Sequence, residues 1–428
     1  MSYKNIYILG VGGSGMSSIA KYLKQKGDNV IGYDQRKSYV TNLLNQDGIK
    51  VVHTIDEITY TPESLYIYSS AIPIESDRFE DFYDKDNVLS RPEYLKNLSE
   101  NHKIIGITGT HGKTSTTALL SHIFHFNNVN VSYLYGGITT FNGIGGHYGD
   151  PDQPLILETD EAFNTFEKIK ISDLLVLNVD SDHLDYFKNL DNYKDAFYKV
   201  MKNVTDNLVI NNDDLNIKSM KELKNPVSYG KDISADFKVQ SPGTFIYENN
   251  KYEIKSDIIG DHFKSNMLGA IILAFLNGIE IKDSLNAIES FAGVKRRIEL
   301  IGISKGVLIY DDYGHHPTEM EATIAALKQQ TESKLYVVFQ PHRYTRTMEY
   351  FSSFKDSLKL ADFAIVTDIY PAGESPIPGI SSKNFEEESI KYLKSIRYVP
   401  EYLSKKVQNG DIVLTLGAGD ITLSLIHI

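Results

Sequence analysis

Short apolar segments alternate with amphipathic segments along most of the chain, and this pattern predicts an α/β protein. Near the N-terminus, strands are predicted at Asn5–Leu9 and Asn29–Tyr33, on either side of a helix that ends at Lys26. Further apolar runs have the length of buried parallel strands, at 155–157, 174–179, 208–210, 307–310, 335–339, 363–367 and 412–416. Between 235 and 259 the alternation indicates an antiparallel inset, and the helix predicted at 264–277 follows it.

A glycine-rich loop follows the first predicted strand. Residues Gly10–Gly15 read GVGGSG, which matches the G-x-G-x-x-G fingerprint of dinucleotide-binding βαβ units, and Asp34 ends the next strand. Such glycines let the backbone approach any diphosphate at a helix N-terminus. We favour a nucleotide diphosphate as the ligand of this loop, and the alternative is NAD with Asp34 on its ribose.

A second loop, Gly106–Thr117 with the sequence GITGTHGKTSTT, lies between a predicted strand and a predicted helix. It departs from the strict pattern GxxxxGK[ST], which requires glycine at position 107, where this chain has Ile107 and places the glycine at Gly109 instead. Backbone N–H groups and the helix dipole would face phosphate oxygens. We therefore expect ATP or GTP to bind at Gly109, Thr110, His111, Gly112, Lys113, Thr114 and Ser115.

Candidate metal ligands follow two predicted strands. Glu158 comes after the apolar run 155–157, and His183 lies in the segment DSDHLDYF after the run 174–179. Carboxylate and hydroxyl oxygens suit Mg²⁺, and a neutral imidazole can complete a shell. We expect Thr114 and Glu158 to hold one Mg²⁺, and Glu158 with His183 to hold a second. The aspartates of this segment could equally cap the following helix: Asp180, Asp182 and Asp185.

Basic and imidazole groups gather in the last third of the chain. The segments DDYGHHPTE, 311–319, and QPHRYTR, 340–346, each follow a predicted strand. Arginine side chains at strand ends can hold carboxylates or phosphates through two parallel hydrogen bonds. Arg296 and Arg297 lie where the second and third units meet, so one of these cations could reach the γ-phosphate when the units close.

Composition narrows the class of protein. The chain has 428 residues, which is too long for one core, and we expect three domains, at 1–100, 101–293 and 294–428. A net charge of −12 argues against general affinity for nucleic acid, and zero cysteines exclude disulfides and thiolate metal sites. A strand begins almost at Met1, and the apolar stretch 267–277 is too short for a membrane span. We expect a soluble cytoplasmic protein, monomeric or weakly dimeric.

The motifs of the chain resemble those of the Mur ligase family, and the resemblance runs from Gly10 to Asp420. It is closest to the members that add alanine, and HHPTE together with QPHRYTR is its most discriminating combination. The motifs occur in the family's order, as GVGGSGMS, SSAI, GTHGKTSTT, DHLDYF, HFKSN, GVKRRIE, DDYGHHPTE, FQPHRYTR and LGAGD.

The resemblance implies three domains: an N-terminal Rossmann-like domain, a central P-loop mononucleotide-binding α/β domain and a C-terminal Rossmann-like domain. The first would bind UDP-N-acetylmuramic acid rather than NAD, through Gly12, Gly13, Ser14, Gly15, Met16, Ser69 and Ser70. The second would bind ATP and two Mg²⁺, with Lys113 on the phosphates, Thr114, Glu158 and His183 on the metals, His262 and Asn266 near adenine, and Asp312 near the ribose. The third would bring L-alanine to His316, His342, Arg343 and Arg346.

The implied reaction joins L-alanine to the lactyl carboxylate of the sugar nucleotide through an acyl phosphate. Lys113 and Arg297 would neutralise charge on the transferring phosphoryl group, and His316 or His342 would help to remove the ammonium proton. The chain departs from several relatives in two places. Phe197 stands where they carry a carbamylated lysine, so we expect no such modification, and LETDEAFN at 157–164 makes a role for Glu161 less secure.

Other functions stay open at this point. A murein peptide recycling ligase shares the first two domains but would diverge in the third. A folate or cyanophycin-type amide ligase would not need the Gly10–Gly15 loop, and a non-catalytic nucleotide-binding protein would not need Glu158 and His183. An NAD-linked oxidoreductase would leave Gly109–Thr114 without a purpose.

Overall fold

The computed structural model describes residues 3–182, 184–220 and 222–422. Within these ranges the strands form three sheets. The chain divides into two compact units: the first ends at Asp257 and resumes over Lys264–Val294, and the second comprises Ile258–Phe263 and the chain from Lys295 onward. None of the helices in the described ranges is both long enough and apolar enough to cross a bilayer.

The first sheet is entirely parallel and has the order β3-β2-β1-β4-β5. Its strands are β1 (Asn5–Leu9), β2 (Val30–Tyr33), β3 (Lys50–Val52), β4 (Ser64–Tyr68) and β5 (Val88–Ser90). The helices of this region are α1 (Ser14–Lys26), α2 (Tyr39–Gln46) and α3 (Arg91–Ser99). This strand order is the one expected of a doubly wound nucleotide-binding sheet, and it confirms the predicted Rossmann-like fold.

The second sheet has the order β15-β14-β13-β12-β11-β10-β6-β9-β7-β8. Its strands are β6 (Ile104–Thr108), β7 (Ser132–Thr139), β8 (Gly143–His147), β9 (Leu155–Glu158), β10 (Asp173–Val176), β11 (Leu208–Asn211), β12 (Val227–Gly230), β13 (Phe237–Ser241), β14 (Thr244–Tyr247) and β15 (Asn250–Glu253). The helices are α4 (Lys113–Phe126), α5 (Leu184–Phe187), α6 (Leu190–Lys202), α7 (Leu215–Ser219), α8 (Asp261–Leu276) and α9 (Ile281–Glu289). The predicted antiparallel inset is confirmed, because β13, β14 and β15 pair in that sense.

The antiparallel pair β7 and β8 was not predicted from the sequence, and it ties the first two sheets together. Lys21 on α1 is buried, and its ammonium donates to the carbonyl oxygens of Asn142 and Ile144. A side chain on Gly146 would collide with the backbone of Ser18. The close approach of helix and hairpin therefore depends on glycine, the residue type that hides a strand from pattern analysis.

The third sheet has the order β16-β17-β21-β18-β19-β20, in which only β16 is antiparallel to its neighbour. Its strands are β16 (Glu299–Ser304), β17 (Val307–Asp312), β18 (Leu335–Phe339), β19 (Phe363–Val366), β20 (Ile390–Tyr392) and β21 (Ile412–Leu416). The helices are α10 (Pro317–Lys328), α11 (Tyr344–Glu349), α12 (Phe351–Leu358) and α13 (Val399–Ser404). Strands β18 and β21 are buried along their whole length, as their unbroken apolar sequences predict.

Candidate active site

The glycine loop between β1 and α1 packs against the end of β4. Gly10 has a φ of +82°, and a Cβ there would lie 3.0 Å from the Cβ of Ser69. Gly12 N–H donates to Asp34 Oδ2 at 2.9 Å, so this carboxylate, which an NAD enzyme would use on the ribose, fixes the loop instead. Of the seven residues predicted to bind the sugar nucleotide, Gly12, Gly13, Ser14, Gly15, Ser69 and Ser70 lie at the carboxyl ends of β1 and β4 or just after them.

Met16 differs from the other members of that set. Its side chain is buried in the hydrophobic core, and its N–H donates to the carbonyl oxygen of Gly13. The side chain of Met16 therefore packs in the core, and its N–H forms part of the first turn of α1. The resemblance had grouped it with the ligand-binding residues because it adjoins them in the sequence.

The phosphate loop between β6 and α4 has a tightly fixed backbone. Gly109 and Gly112 have φ values of +143° and +85°, and a Cβ on Gly112 would overlap the amide of Asn266. Asn178 accepts from the N–H groups of Thr110, through its carbonyl oxygen at 3.1 Å, and of His111, through its side chain at 2.8 Å. The structure thus brings Asn266, predicted to lie near adenine, against the loop.

Lys113 begins α4 and turns its side chain back over the loop. Its ammonium donates to the carbonyl oxygens of Gly109 at 2.6 Å and Thr110 at 3.0 Å, and to Glu161 Oε1 at 2.9 Å. Burial by itself lowers the pKa of this ammonium, but the carboxylates of Glu161 and Asp160 outweigh burial and raise the pKa above its usual value. Lys113 is therefore a permanent cation at the mouth of the loop.

Thr114 and Glu158 converge beside that lysine. Thr114 Oγ1 donates to Glu158 Oε1 at 2.7 Å, and the N–H of Gly136 donates to Glu158 Oε2 at 2.6 Å. A hydroxyl and a carboxylate so placed form a set of hard oxygen donors that matches Mg²⁺. His183, the other predicted metal ligand, lies outside the described residues, as does the side chain of Asp185.

Asp180 binds the phosphate loop. His111 Nε2 lies 3.1 Å from Asp180 Oδ2, and Asp180 N–H donates to Thr110 Oγ1 at 2.8 Å. The segment after β10 is thereby held against the loop. Ser115, the last residue predicted to contact nucleotide, is buried in the first turn of α4.

Sequence reasoning missed a buried polar network beneath the loop. Glu161 and Tyr193 are fully buried, and the Tyr193 hydroxyl lies 3.3 Å from Glu161 Oε1 and 3.0 Å from Thr110 Oγ1. Together with Lys113 they form a chain of contacts from α6 to the loop. The cluster of acidic residues after β9 could have indicated Glu161. No feature of the sequence indicates Tyr193, because its partners are distant in the sequence.

In the second unit, Asp312 ends β17 and is buried. Its carboxylate accepts from the N–H groups of Ile298 at 2.8 Å and Gly314 at 2.7 Å. Burial raises the pKa of Asp312 to about 6, against the opposing effect of the Arg297 guanidinium. That guanidinium lies over the ring of Tyr313, 5.2 Å from the ring centre. Asp312 and Arg297 therefore share one edge of the third sheet.

The side chain of Arg296 is held in place by several hydrogen bonds. Its guanidinium donates to Asp311 Oδ2 at 3.0 Å and to the carbonyl oxygens of Gly417 at 2.6 Å and Gly419 at 3.3 Å. Asp311 is itself buried. Of the two cations predicted to reach the γ-phosphate, Arg296 thus already bonds other groups of the second unit.

His342 lies beside both predicted arginines, Arg343 and Arg346. Burial is the main cause that lowers the pKa of His342 to about 4, and the positive charges of Arg346 and Arg343 add to it. The ring stacks on Tyr370, with centres 5.6 Å apart and planes within 10°. His342 is consequently neutral near pH 7.

The adjacent histidines diverge, as expected of neighbouring side chains. The ring of His315 is centred 6.0 Å from that of His342. His316 is buried at the N-cap of α10, edge-on to Tyr350 at 4.9 Å. Within the second unit, His315 and not the predicted His316 is therefore the histidine beside His342. His262 also lies in this unit, with its ring 4.3 Å from that of Phe263.

Three family models match the chain in succession: the Mur ligase family catalytic domain over residues 5–103, the middle domain over 107–274 and the glutamate ligase domain over 296–419. Two curated proteins named UDP-N-acetylmuramate–L-alanine ligase are similar over nearly their full length. The one from Caldicellulosiruptor saccharolyticus is 34% identical, covering 97% of this chain and 96% of its own. The one from Dictyoglomus turgidum is 35% identical, covering 98% and 95%.

Solved structures agree with the sequence comparisons. The UDP-N-acetylmuramate–alanine ligase of Thermotoga maritima superposes with a TM-score of 0.82 at 25% identity, covering 98% of this chain and 97% of its own. A murein peptide ligase from Psychrobacter arcticus, at 21% identity, has the same fold with a TM-score of 0.71 over 99% of both chains. With all three domain models matched in order and curated relatives at this identity over the full length, the chain belongs to the Mur ligase family.

Proposed function

We propose that this chain is an ATP-dependent ligase that joins L-alanine to the lactyl carboxylate of UDP-N-acetylmuramic acid, a step in making the peptidoglycan precursor. The observation that carries the proposal is similarity over almost the whole chain to curated ligases of that name, at 34% and 35% identity. The reaction would occur in the cytoplasm, where ATP is available.

The residues of the first unit fit ATP and Mg²⁺. The backbone at Gly112 leaves no room for a side chain beside Asn266, and Lys113 supplies a cation at the start of α4. Both features are those of a phosphate-binding loop. Thr114 and Glu158, with His183 where a second ion is held, would bind Mg²⁺, which neutralises charge on the transferring phosphoryl group when bound.

The chemistry needs two displacements in sequence. A lactyl carboxylate oxygen attacks the γ-phosphorus of ATP, the bond to the β-γ bridging oxygen breaks, and ADP leaves with that electron pair. The amine of L-alanine then attacks the acyl carbon, and the tetrahedral intermediate collapses with loss of inorganic phosphate. Lys113 and Arg297 would stabilise the charge that develops on the phosphoryl oxygens.

The second unit would supply the amino-acid site. Arg343 and Arg346 are the candidates for holding the alanine carboxylate, because guanidinium groups match carboxylate geometry. The ammonium group of L-alanine must lose a proton before it can attack, and His316 or His342 would assist. Arg343 lies 3.6 Å from Glu374 Oε1, so binding a substrate carboxylate would exchange one anionic partner for another.

The product distinguishes this function from that of a recycling ligase. The purified protein would be incubated with ATP, Mg²⁺ and UDP-N-acetylmuramic acid together with equal amounts of L-alanine and the tripeptide substrate of murein recycling. We expect mass spectrometry to detect the alanyl product, and only when ATP is present. A tripeptide adduct as the dominant product would contradict the proposal.

A further inference from the structure

Arg91 was not among the predicted site residues, yet it lies against the glycine loop. It is the first residue of α3, which follows β5 in the first sheet. A Cβ on Gly15 would lie 2.9 Å from Arg91 Nε and 3.1 Å from both Cζ and Nη2. The guanidinium group therefore packs on the first turn of α1, in the space that the absence of a side chain on Gly15 leaves.

The guanidinium group forms no ion pair with the described part of the chain. Its Nε is buried and has no hydrogen-bond acceptor there, and none of the described carboxylates forms an ion pair with it. Buried donors are nearly always satisfied in folded proteins, because leaving one unpaired costs free energy. An arginine held in this way is a preformed site for an anion.

A cavity lies beside Arg91 in the first unit. It is lined by Gly15 and Ser18 of α1, by Arg91, and by Gly136 and Glu158 of the second sheet. Both oxygens of Glu158 already accept hydrogen bonds, from Thr114 and from Gly136. Arg91 and the N-terminus of α1 are therefore the groups of this cavity that can bind an anion.

We propose that Arg91 binds an anionic group of the sugar nucleotide and so determines its position. This inference rests on the proposed function, since it assumes a substrate of that class. Two groups share the required chemistry, the diphosphate and the lactyl carboxylate. Contact between Arg91 and Gly15, at the start of α1, favours the diphosphate, because helix N-termini bind phosphate oxygens.

The test measures binding to the full chain by calorimetry, using UDP, UDP-N-acetylglucosamine and UDP-N-acetylmuramic acid. Arg91→Ala and Arg91→Lys would be compared with Arg397→Ala, which removes an exposed arginine from the second unit. We expect Arg91→Ala to raise the Kd at least about tenfold, in line with a lost charge-assisted bond, while the KM for ATP changes less than about twofold. The Kd of Arg91→Lys should lie between those of the wild type and Arg91→Ala. Lysine keeps the positive charge but lacks the planar guanidinium that can form two parallel hydrogen bonds.

The ligands separate the two anions. Weaker binding of all three would identify the diphosphate, and weaker binding of UDP-N-acetylmuramic acid alone would identify the carboxylate. An Arg91→Ala protein with an unchanged melting temperature and unchanged Kd for every ligand would overturn the inference. Absence of phosphate release by the wild-type protein with L-alanine would contradict the proposed function instead, and UDP binding would still decide the role of Arg91.

Discussion

The ammonium of Lys113 and the carboxylate of Glu161 lie 2.9 Å apart beside the phosphate loop. Glu161 is fully buried, and the ammonium also donates to two carbonyl oxygens of its own loop. This pairing keeps Lys113 charged and directs it back over the loop. Glu161 therefore acts as a positioning residue, and its contribution can be separated from that of the lysine.

Replacing Lys113 by alanine should abolish turnover. The cation would no longer oppose charge developing on the phosphoryl group, and we expect kcat to fall by at least about 100-fold. Binding of UDP-N-acetylmuramic acid, measured by calorimetry, should be largely unchanged. Lys168→Ala, at an exposed lysine of the same unit, is the matched control and should keep normal activity. Normal turnover by Lys113→Ala would disprove the assignment of the phosphate loop.

Glu161→Gln should destabilise the protein, because the largely buried Lys113 loses the carboxylate that is paired with it at 2.9 Å. We expect a loss of about 3 kcal/mol in the free energy of unfolding, measured in urea. The double variant Lys113→Met/Glu161→Gln should recover part of that loss, since it leaves no unpaired cation. Equal destabilisation in the single and double variants would show that the ion pair contributes nothing.

Thr114→Val should raise the Mg²⁺ concentration needed for half-maximal activity. Valine keeps the shape of threonine but removes the hydroxyl that bonds Glu158 Oε1. We expect a shift of about tenfold or more, as for the loss of a group that holds a metal ligand. Thr117→Val on the same helix removes a hydroxyl that bonds only the Lys113 carbonyl oxygen, and should leave the Mg²⁺ dependence unchanged. Identical Mg²⁺ curves for both variants would exclude Thr114 from the metal site.

Acidification should destabilise the protein in part through His342. Its pKa in the folded state is lowered to about 4, whereas the unfolded chain has the ordinary value near 6.5. The unfolded state therefore binds more protons between these values, and stability falls as the pH drops from about 6.5 to 4. The His342→Gln variant should lack the part of this stability loss that is due to His342. Parallel curves of unfolding free energy against pH for the wild type and the variant, from urea unfolding, would contradict the prediction.

Activity should not depend on carbon dioxide. The resemblance places Phe197 where several relatives would carry a carbamylated lysine. Phe197 is fully buried and packs edge-on against Phe166 and Tyr193. No amine is present at that position to be carbamylated. We expect equal rates in bicarbonate-free buffer and after adding bicarbonate. Reversible loss of activity on removal of carbon dioxide would point to a carbamylated lysine elsewhere.

The local parts of this site, and the pairing of Thr114 with Glu158 at neighbouring strand ends, could be predicted from sequence. Several other tertiary contacts could not. Lys113 and Thr114 belong to one strand–loop–helix segment, so their neighbourhood is fixed by chain connectivity. The contact between Asp34 and Gly12, and that between Tyr193 and Thr110, join residues far apart in the sequence. The sequence singled out Asp34 only as a possible ribose ligand, and nothing in it distinguishes Tyr193 from any other core tyrosine.

The fold shows the same division. Apolar runs predicted parallel strands in each of the three sheets, because strands buried on both faces need continuous apolar sequence. The parallel strands β3, β4, β5 and β12 were not predicted. The hairpin of β7 and β8 was not predicted, because Gly145 and Gly146 interrupt the apolar pattern of a strand. These glycines permit close packing against neighbouring backbone and side chains. The edge strands β16 and β20 were not predicted either, since exposed residues interrupt their apolar pattern.

The most direct test of the proposed ligase activity is phosphate release by the purified protein with ATP, Mg²⁺ and UDP-N-acetylmuramic acid, with each amino acid added in turn. We expect release that requires both the sugar nucleotide and L-alanine and ceases when either is omitted. Release without the sugar nucleotide, or no release with L-alanine, would contradict this activity.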